Sequence, residues 1–363
     1  MMHPNKLTRH YWVWPIAWYL FLGGLGGGTL FATTMLQTCG HAICELLGLG
    51  DYSGVVAQMF GPALALATFA GVVFLGVGSA LLIFELGQWK NFIRVWIAST
   101  SIMKWGATFL VLAMVFGFVE FLFFLPPQWN LFWYQWIWLR DVCTALAGLF
   151  GFCVAFYTGC LLGTQKSKPF WNTPLLPVLF TVSAVSTATA LVTILVGLWP
   201  AIDGETPFAL QIANQIASPD YANQVVVMVI ATVTGGITEV MHKADAVMVI
   251  LEIILLLVYI ICMRASGNLT AKRIAQTWIS GSKSLLFWGG MLIVGLGVPL
   301  WLYLSEVPNA GLIAPVLILA SGLLLRFLVL YSDGRQLIPG EEAYYAKLPK
   351  GNEEFLQPWK KPY

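Results

Sequence analysis

The sequence predicts an all-α integral membrane protein with eight transmembrane helices and both termini in the cytoplasm. Three observations predict it. Of the 363 residues 58% are hydrophobic and only 10% are charged, against about 25% charged in a soluble chain, whose surface water must wet. The apolar residues come in runs of about twenty or more, the length a helix needs to cross a hydrocarbon core of about 30 Å. The basic residues gather in alternate connections, as the positive-inside rule requires.

Hydropathy places the first helix over Trp12–Leu36. Lys6 and Arg9 precede it, but the apolar stretch is too long for a signal-peptide core, so it reads as a retained span. The second helix, Val56–Leu86, is longer than a perpendicular span needs and carries Pro62 in its first turns, where proline is tolerated. Met103–Leu125 is the third and Trp133–Leu162 the fourth, the latter again long enough to tilt. Leu175–Leu198, Ala246–Cys262, Ser284–Leu304 and Leu312–Tyr331 complete the eight.

The segment Gln224–Gly236 is apolar but short. As a full span it would make nine helices and put the termini on opposite sides. As a short re-entrant or interfacial element, within an outer loop of about 199–242, it leaves eight. Charge decides for eight. With the N-terminus inside, sixteen of the nineteen Lys and Arg residues fall in cytoplasmic segments, while the outer loops carry Glu45, Asp51, Asp203, Glu205, Asp220 and Glu306. The expected organisation is one polytopic domain over residues 1–331 and a polar cytoplasmic tail over 332–363. The basic residues form no patch for nucleic acid.

Helix one carries five glycines in the six positions Gly23 to Gly28, just after Tyr19. Such a stretch suits close helix packing, and equally a groove for a flat apolar ring with Tyr19 at its edge. Ionisable groups inside spans are costly and are functional candidates by default. Glu120, the Arg140–Asp141 pair, Glu239, His242 and Asp245 lie toward the outer side, with Glu252 inside helix six. Asp245 and Glu252 are seven apart and so share a helix face. Glu85 and Arg326 lie nearer the cytoplasm. These groups read either as interfacial solvation with local ion pairing, or as a proton path serving a redox ligand.

The four histidines, His3, His10, His41 and His242, all lie away from span centres, which argues against a bis-histidine haem. The six cysteines form no CxxC pair, which argues against an iron–sulfur cluster and a metal site in this chain. Cys39 and Cys44 could pair in an oxidising compartment.

The stretches WPIAWYLFLGGLGGGTLFA from Trp14, LLIFELGQWKNFIRVW at the end of helix two, YTGCLLGTQKSKPFWNTPLLPVLF from Tyr157 and GLLLRFLVLYSDGRQ around Arg326 together resemble the NrfD/polysulfide-reductase membrane subunit family. Glu85 and Gln88 stand where many members of that family carry Asp and Arg. The resemblance implies an eight-helix anchor in the bacterial inner membrane that binds menaquinone or ubiquinone near the outer face. It also implies electron exchange with a ferredoxin-like iron–sulfur subunit attached to a large catalytic subunit, often a molybdopterin enzyme. The quinone contacts it implies fall on Tyr19 and Tyr134.

On that reading Tyr19, Gly23, Gly24, Gly27, Tyr134, His242 and Asp245 face the quinone. Glu85, Glu120, Asp141, Glu239, Glu252 and Arg326 form a candidate proton path, and the catalytic centre for the second substrate sits on a partner. A secondary transporter or proton channel is the alternative of a different class, since intramembrane acids and glycine-rich stretches would suit it. A purely structural anchor is a third.

Overall fold

The structure is a computed structural model that describes residues 14–46, 53–85, 102–124, 132–203, 222–305 and 310–334. Within these ranges the side chains of 39–46, 53–62, 85, 134, 198–203, 222–240 and 310 lie outside the description. The described residues are helical and contain no strand. In order along the sequence the helices are α1 (Trp14–Leu46), α2 (Ser53–Glu85), α3 (Ile102–Leu122), α4 (Ile137–Gly163) and α5 (Leu175–Asp203). They continue with α6 (Ala222–Ala265), the short α7 (Leu269–Ile279), α8 (Leu285–Leu304) and α9 (Ala310–Leu330).

Eight of these, all but α7, are long and apolar enough to cross a membrane. Their outward surfaces carry residues such as Val77, Phe84, Val115, Phe118, Leu149, Phe156, Ile254, Ile261, Ile293 and Trp301. An apolar exterior of this kind is stable only against hydrocarbon. The protein is a multi-pass membrane protein.

The helices alternate in direction, so one end of the bundle, here the near end, gathers the start of α1 and the finish of α9. Trp18 and Phe327 meet edge-on there, with ring centroids 6.5 Å apart. The far end gathers the finish of α3 and α8 and the start of α4 and of α9. α1 to α4 pack as one group of four, and α5, α6, α8 and α9 as a second. α1 is the most enclosed span and touches both groups.

Hydrocarbon offers no hydrophobic drive for helices to associate, so close backbone contact and hydrogen bonds must hold them together. The glycine stretch of α1 supplies that contact on three sides. A Cβ at Gly26 would stand 2.6 Å from the Gly71 carbonyl oxygen of α2. One at Gly27 would meet the Gly151 oxygen of α4 at 2.5 Å, and one at Gly28 the Ala184 oxygen of α5 at 2.6 Å. Side chains at 26, 27 and 28 would therefore push α1 off three neighbours at once.

Two elements differ from the sequence expectation. The segment Gln224–Gly236, expected as a separate re-entrant or interfacial piece, is helical and runs unbroken into the sixth span as part of α6. No proline interrupts residues 224–265, so one helix runs through the Gly235–Gly236 pair and the polar stretch that follows it. The first thirteen residues of α8, Leu285–Gly297, are π-helical, and the Val298 N–H donates to the Ile293 carbonyl five residues back. The wider turn is sterically easy over Gly289, Gly290 and Gly295. It brings Gly295 so close to Ser321 of α9 that a Cβ would stand 2.5 Å from the Ser321 Cβ.

The near end of α9 is fastened by two connections. Trp171, in the link between α4 and α5, donates its indole N–H to the Val329 carbonyl at 2.8 Å. Trp278 of α7 donates to the Ser332 hydroxyl at 2.8 Å, and the Lys283 ammonium donates to the Tyr331 carbonyl at 2.7 Å. The last carbonyls of a helix have no intrahelical partner, and Trp171 and Lys283 each donate to one of the carbonyls here.

Candidate functional site

The polar groups of the second helical group form a column along the α5–α6 interface. α6 turns Asp245 and Glu252 to the same side, toward α5, as their spacing requires. Seven residues of helix separate the two levels by about 10 Å. α5 answers with Ser183, Ser186 and Thr189, three apart in sequence and therefore stacked on one face.

At the far end of the column Thr189 donates its hydroxyl to Asp245 Oδ1. The Tyr303 hydroxyl of α8 donates to Asp245 Oδ2 at 3.0 Å. Tyr303 also stacks on His242, with ring centroids 4.8 Å apart and 29° between planes. Gly311 of α9 closes this pocket, because a Cβ there would stand 3.2 Å from His242 Nε2. Asp245 is fully buried, yet both its oxygens are satisfied.

Lower in the column the Glu252 carboxyl has Ser183, Ser186 and the Arg326 guanidinium as neighbours. Arg326, on α9, is fully buried. Its Nη1 donates to Ser183 Oγ at 2.5 Å and to the Gly322 carbonyl at 2.8 Å, and its Nη2 to the Phe180 carbonyl at 3.3 Å. The rings of Phe180 and Phe21 lie 5.2 and 6.0 Å from the guanidinium carbon. A cation inside a bilayer costs about 3 kcal/mol or more unless paired, and this setting supplies a counter-charge, three acceptors and two aromatic faces. Three buried atoms here, Glu252 Oε1, Ser186 Oγ and Arg326 Nε, have no hydrogen-bond partner among the described residues. They can take or give a further hydrogen bond.

The column ends on α1. A Cβ at Gly24 would stand 3.4 Å from Arg326 Nη2 and 3.3 Å from the Ala184 Cβ. One residue earlier, Gly23 faces Thr158 of α4 and the ring of Tyr19. Tyr19 is buried with Tyr157 of α4 as its electrostatic neighbour. Gly78 of α2 lies against Tyr19, and Gly106 of α3 lies so close under the Tyr157 ring that any side chain there would overlap it. Two buried phenols thus stand together among three glycines at the near end of the first helical group.

The residues expected around one quinone fall in three places. Tyr19 and Gly23 lie together at the near end, Gly24 faces Arg326 and Ala184, and Gly27 is taken up by packing on α4. His242 and Asp245 form the far-end pocket of the second group. The turn Phe132–Gln135, which carries Tyr134, lies at the far end of the first group, where Trp133 donates to the Leu122 carbonyl. Tyr19 lies about 27 Å along α1 from Gln37, which marks that far-end level. The Tyr134 side chain lies outside the described residues.

Of the expected proton-path residues, Glu252 and Arg326 meet in the column. Glu120 does not join them. It is buried at the far end of the first group, where its Oε1 accepts from the Gln37 amide at 2.8 Å. Asp141 is exposed and pairs with its neighbour Arg140 at 2.8 Å, because adjacent residues on that outward turn reach each other more easily than the interior. The side chains of Glu85 and Glu239, and those of Cys39 and Cys44, lie outside the described residues. Sequence reasoning missed Tyr157, Ser183, Ser186, Thr189 and Tyr303. The period-three row of hydroxyls on α5 was a usable signal, as was the position of Tyr157 at the head of the YTGCLLG stretch.

Comparison with known proteins bears on this geometry. The model of the family described as Polysulphide reductase, NrfD, matches residues 2–213, more than half of the sequence. The protein belongs to the NrfD family. Its similarity extends beyond the matched stretch, into the helices that carry the column. It is 25% identical over 346 residues to the C subunit of polysulfide reductase from Wolinella succinogenes, covering 88% of this protein and 93% of that one. It is 26% identical over 351 residues to Protein NrfD of Escherichia coli, covering 88% of this protein and 94% of that one.

Proposed function

We propose that this protein is the quinone-reactive membrane subunit of a multi-subunit respiratory oxidoreductase in a bacterial inner membrane. The observation that carries the reading is the junction at Gly24. There a buried polar column, from Asp245 through Glu252 to Arg326, reaches α1, and the next residue along that helix, Gly23, faces Thr158 of α4 and the ring of Tyr19. A site that handles quinol must hold a flat apolar ring, bond its oxygens and move protons away from them. The buried Tyr19–Tyr157 cluster would offer such a group two phenolic hydroxyls for its oxygens.

When bound, menaquinol or ubiquinol would supply two electrons and two protons as it is oxidised, and quinone would take up the same when reduced. The protein's own residues then divide the work. Tyr19 and Tyr157 bind and orient the ring oxygens. Gly78 and Gly106 give the two phenols room. Arg326 fixes a positive charge at the α1 end of the column. Glu252, Ser186, Thr189 and Asp245 offer a line of exchangeable protons toward the far end, where His242 and Tyr303 stand. On this reading Glu252 and Arg326 belong to the proton path, Asp245, expected at the quinone, joins them, and Glu120 and Asp141 lie off it.

The two named relatives support a place in such a complex, since one is a subunit of polysulfide reductase. Electrons would pass to or from a ferredoxin-like iron–sulfur subunit and a large redox subunit, often a molybdopterin enzyme. The termini are proposed to be cytoplasmic, from the distribution of basic residues. Gentle solubilisation of the native complex, followed by mass spectrometry of its subunits and a quinol oxidation assay, tests the reading. Co-purifying iron–sulfur and catalytic subunits with quinol turnover support it, and a protein that purifies alone without binding quinone contradicts it.

A further inference from the structure

Between the spans α6 and α8 lies α7, eleven residues with two unlike faces. Asn268 starts it, its side-chain oxygen accepting from the backbone N–H groups of Thr270 and Ala271 at 3.0 and 3.4 Å. Ala271, Ala275 and Trp278, one helical face by spacing, are buried. That face lies on the polypeptide leaving α9. Trp278 donates to Ser332, and Thr270 and Ile274 crowd Gly334, where a Cβ would meet the Ile274 side chain at 2.7 Å.

The opposite face carries Leu269, Lys272, Arg273 and Gln276, all exposed. Arg264, exposed at the end of α6, adds a third cation to this side. From Arg264 through Lys283 the sequence has four basic residues and no acidic one. Arg264, Lys272 and Arg273 make no ion pair among the described residues. Leu269 is 70% exposed beside these cations, and Leu285, the first residue of the next span, is 81% exposed.

Because α7 is bounded closely by two spans, it lies at the level of the lipid headgroups. An exposed leucine next to exposed cations is the pattern of a helix lying in that layer, with its apolar side chain in the acyl boundary and its charges among headgroups. We propose that the Lys272–Arg273 face of α7, with Arg264, is a binding site for the anionic headgroup of a membrane phospholipid. The occupant is set by charge: with no carboxylate partner among the described residues, these cations favour a phosphodiester bearing net negative charge over a zwitterion. Through its other face the same helix holds the end of α9, so a bound lipid steadies the helix that carries Arg326.

The lipid site does not depend on quinone binding and is tested without any redox assay. The full-length protein is purified in its complex, stripped of lipid in detergent, and melted with added dioleoylphosphatidylglycerol or dioleoylphosphatidylcholine. Phosphatidylglycerol should raise the midpoint of wild type by about 4 °C, and phosphatidylcholine should not. In Lys272→Gln/Arg273→Gln the rise should fall by at least half. Should the double variant fail to fold, wild type in about 0.5 M salt serves instead, since screening of exposed charges should remove most of the rise. Equal shifts with both lipids, or an undiminished shift in the variant or in salt, overturn the proposal. So does protection of Lys272 from amine acylation in the lipid-stripped complex, which would assign this face to a protein partner.

Discussion

Arg326 on α9 stands against Gly24 of α1, its Nη2 3.4 Å from the place a Cβ of residue 24 would occupy. The residue most expensive to place in hydrocarbon therefore meets the glycine stretch at a point where that stretch is not filled by a neighbouring backbone. Gly26, Gly27 and Gly28 serve packing against α2, α4 and α5. Gly24 instead makes room for a guanidinium. This contact joins the two helical groups.

Substitution at Gly24 should grade with size. Gly24→Ala puts a methyl at ordinary contact distance from Arg326 and should leave quinol turnover within about twofold of wild type. Gly24→Leu must displace the guanidinium and should lower turnover at least about tenfold, a loss of about 1.4 kcal/mol in transition-state stabilisation. Assembly of the complex, read by native gel electrophoresis, separates this effect from failure to fold.

Glu252 and Glu120 are both buried glutamates, but only Glu252 faces Arg326. Glu252→Gln should slow turnover at least about tenfold, because it leaves Arg326 without its counter-charge and removes a proton carrier. Glu120→Gln keeps a hydrogen-bonding side chain beside Gln37 and should stay within about twofold. Steady-state quinol oxidation by both variants checks the contrast, and equal losses would put Glu120 on the path as well.

Tyr303→Phe removes one of the two hydrogen bonds on Asp245 while keeping the stack on His242. The loss of a single such bond, about 1 kcal/mol, should slow turnover about fivefold. His242→Phe keeps the stack and removes the imidazole, and a comparable loss there would show that the ring nitrogens take part in proton transfer. The two rates, measured in the same complex, separate the roles.

Lys283 lies outside the spans, and burial lowers its pKa from the ordinary lysine value while the nearby Asp333 opposes the shift. The charged form is thus disfavoured in the folded protein. Folding carries a penalty below the lowered folded value, and the penalty fades as pH rises from there toward the ordinary lysine range. Lys283→Arg cannot shed its proton. Wild type should gain thermal stability over Lys283→Arg as the pH is raised from about 7 to about 10, as read from melting midpoints in detergent.

The eight spans were legible because hydropathy over about twenty residues reports directly on the solvent a helix must cross. The union of Gln224–Gly236 with the sixth span was not, because a short apolar run reads alike whether it stands alone or continues a helix. Asp245, Glu252 and Arg326 stood out as charges within apolar runs. Their partners Ser183, Ser186 and Thr189 did not, since hydroxyls in a span usually bond their own preceding turn, as Thr187 does to the Ser183 carbonyl. Tyr19 was singled out, but its pairing with Tyr157 depends on how α1 crosses α4, which Gly27 and Gly151 set by backbone contact across many residues of sequence.

Quinone is expected to meet the protein at Tyr19 and Tyr157, at the end of the column marked by Arg326. A photoreactive azidoquinone cross-linked to the intact complex, with labelled peptides mapped by mass spectrometry, tests this most directly. Labels on α1 between Trp14 and Gly28 and on α4 around Tyr157, lost on competition with unmodified quinone, are the predicted result. Competed labels confined to the pocket of His242, Asp245 and Tyr303 would contradict it.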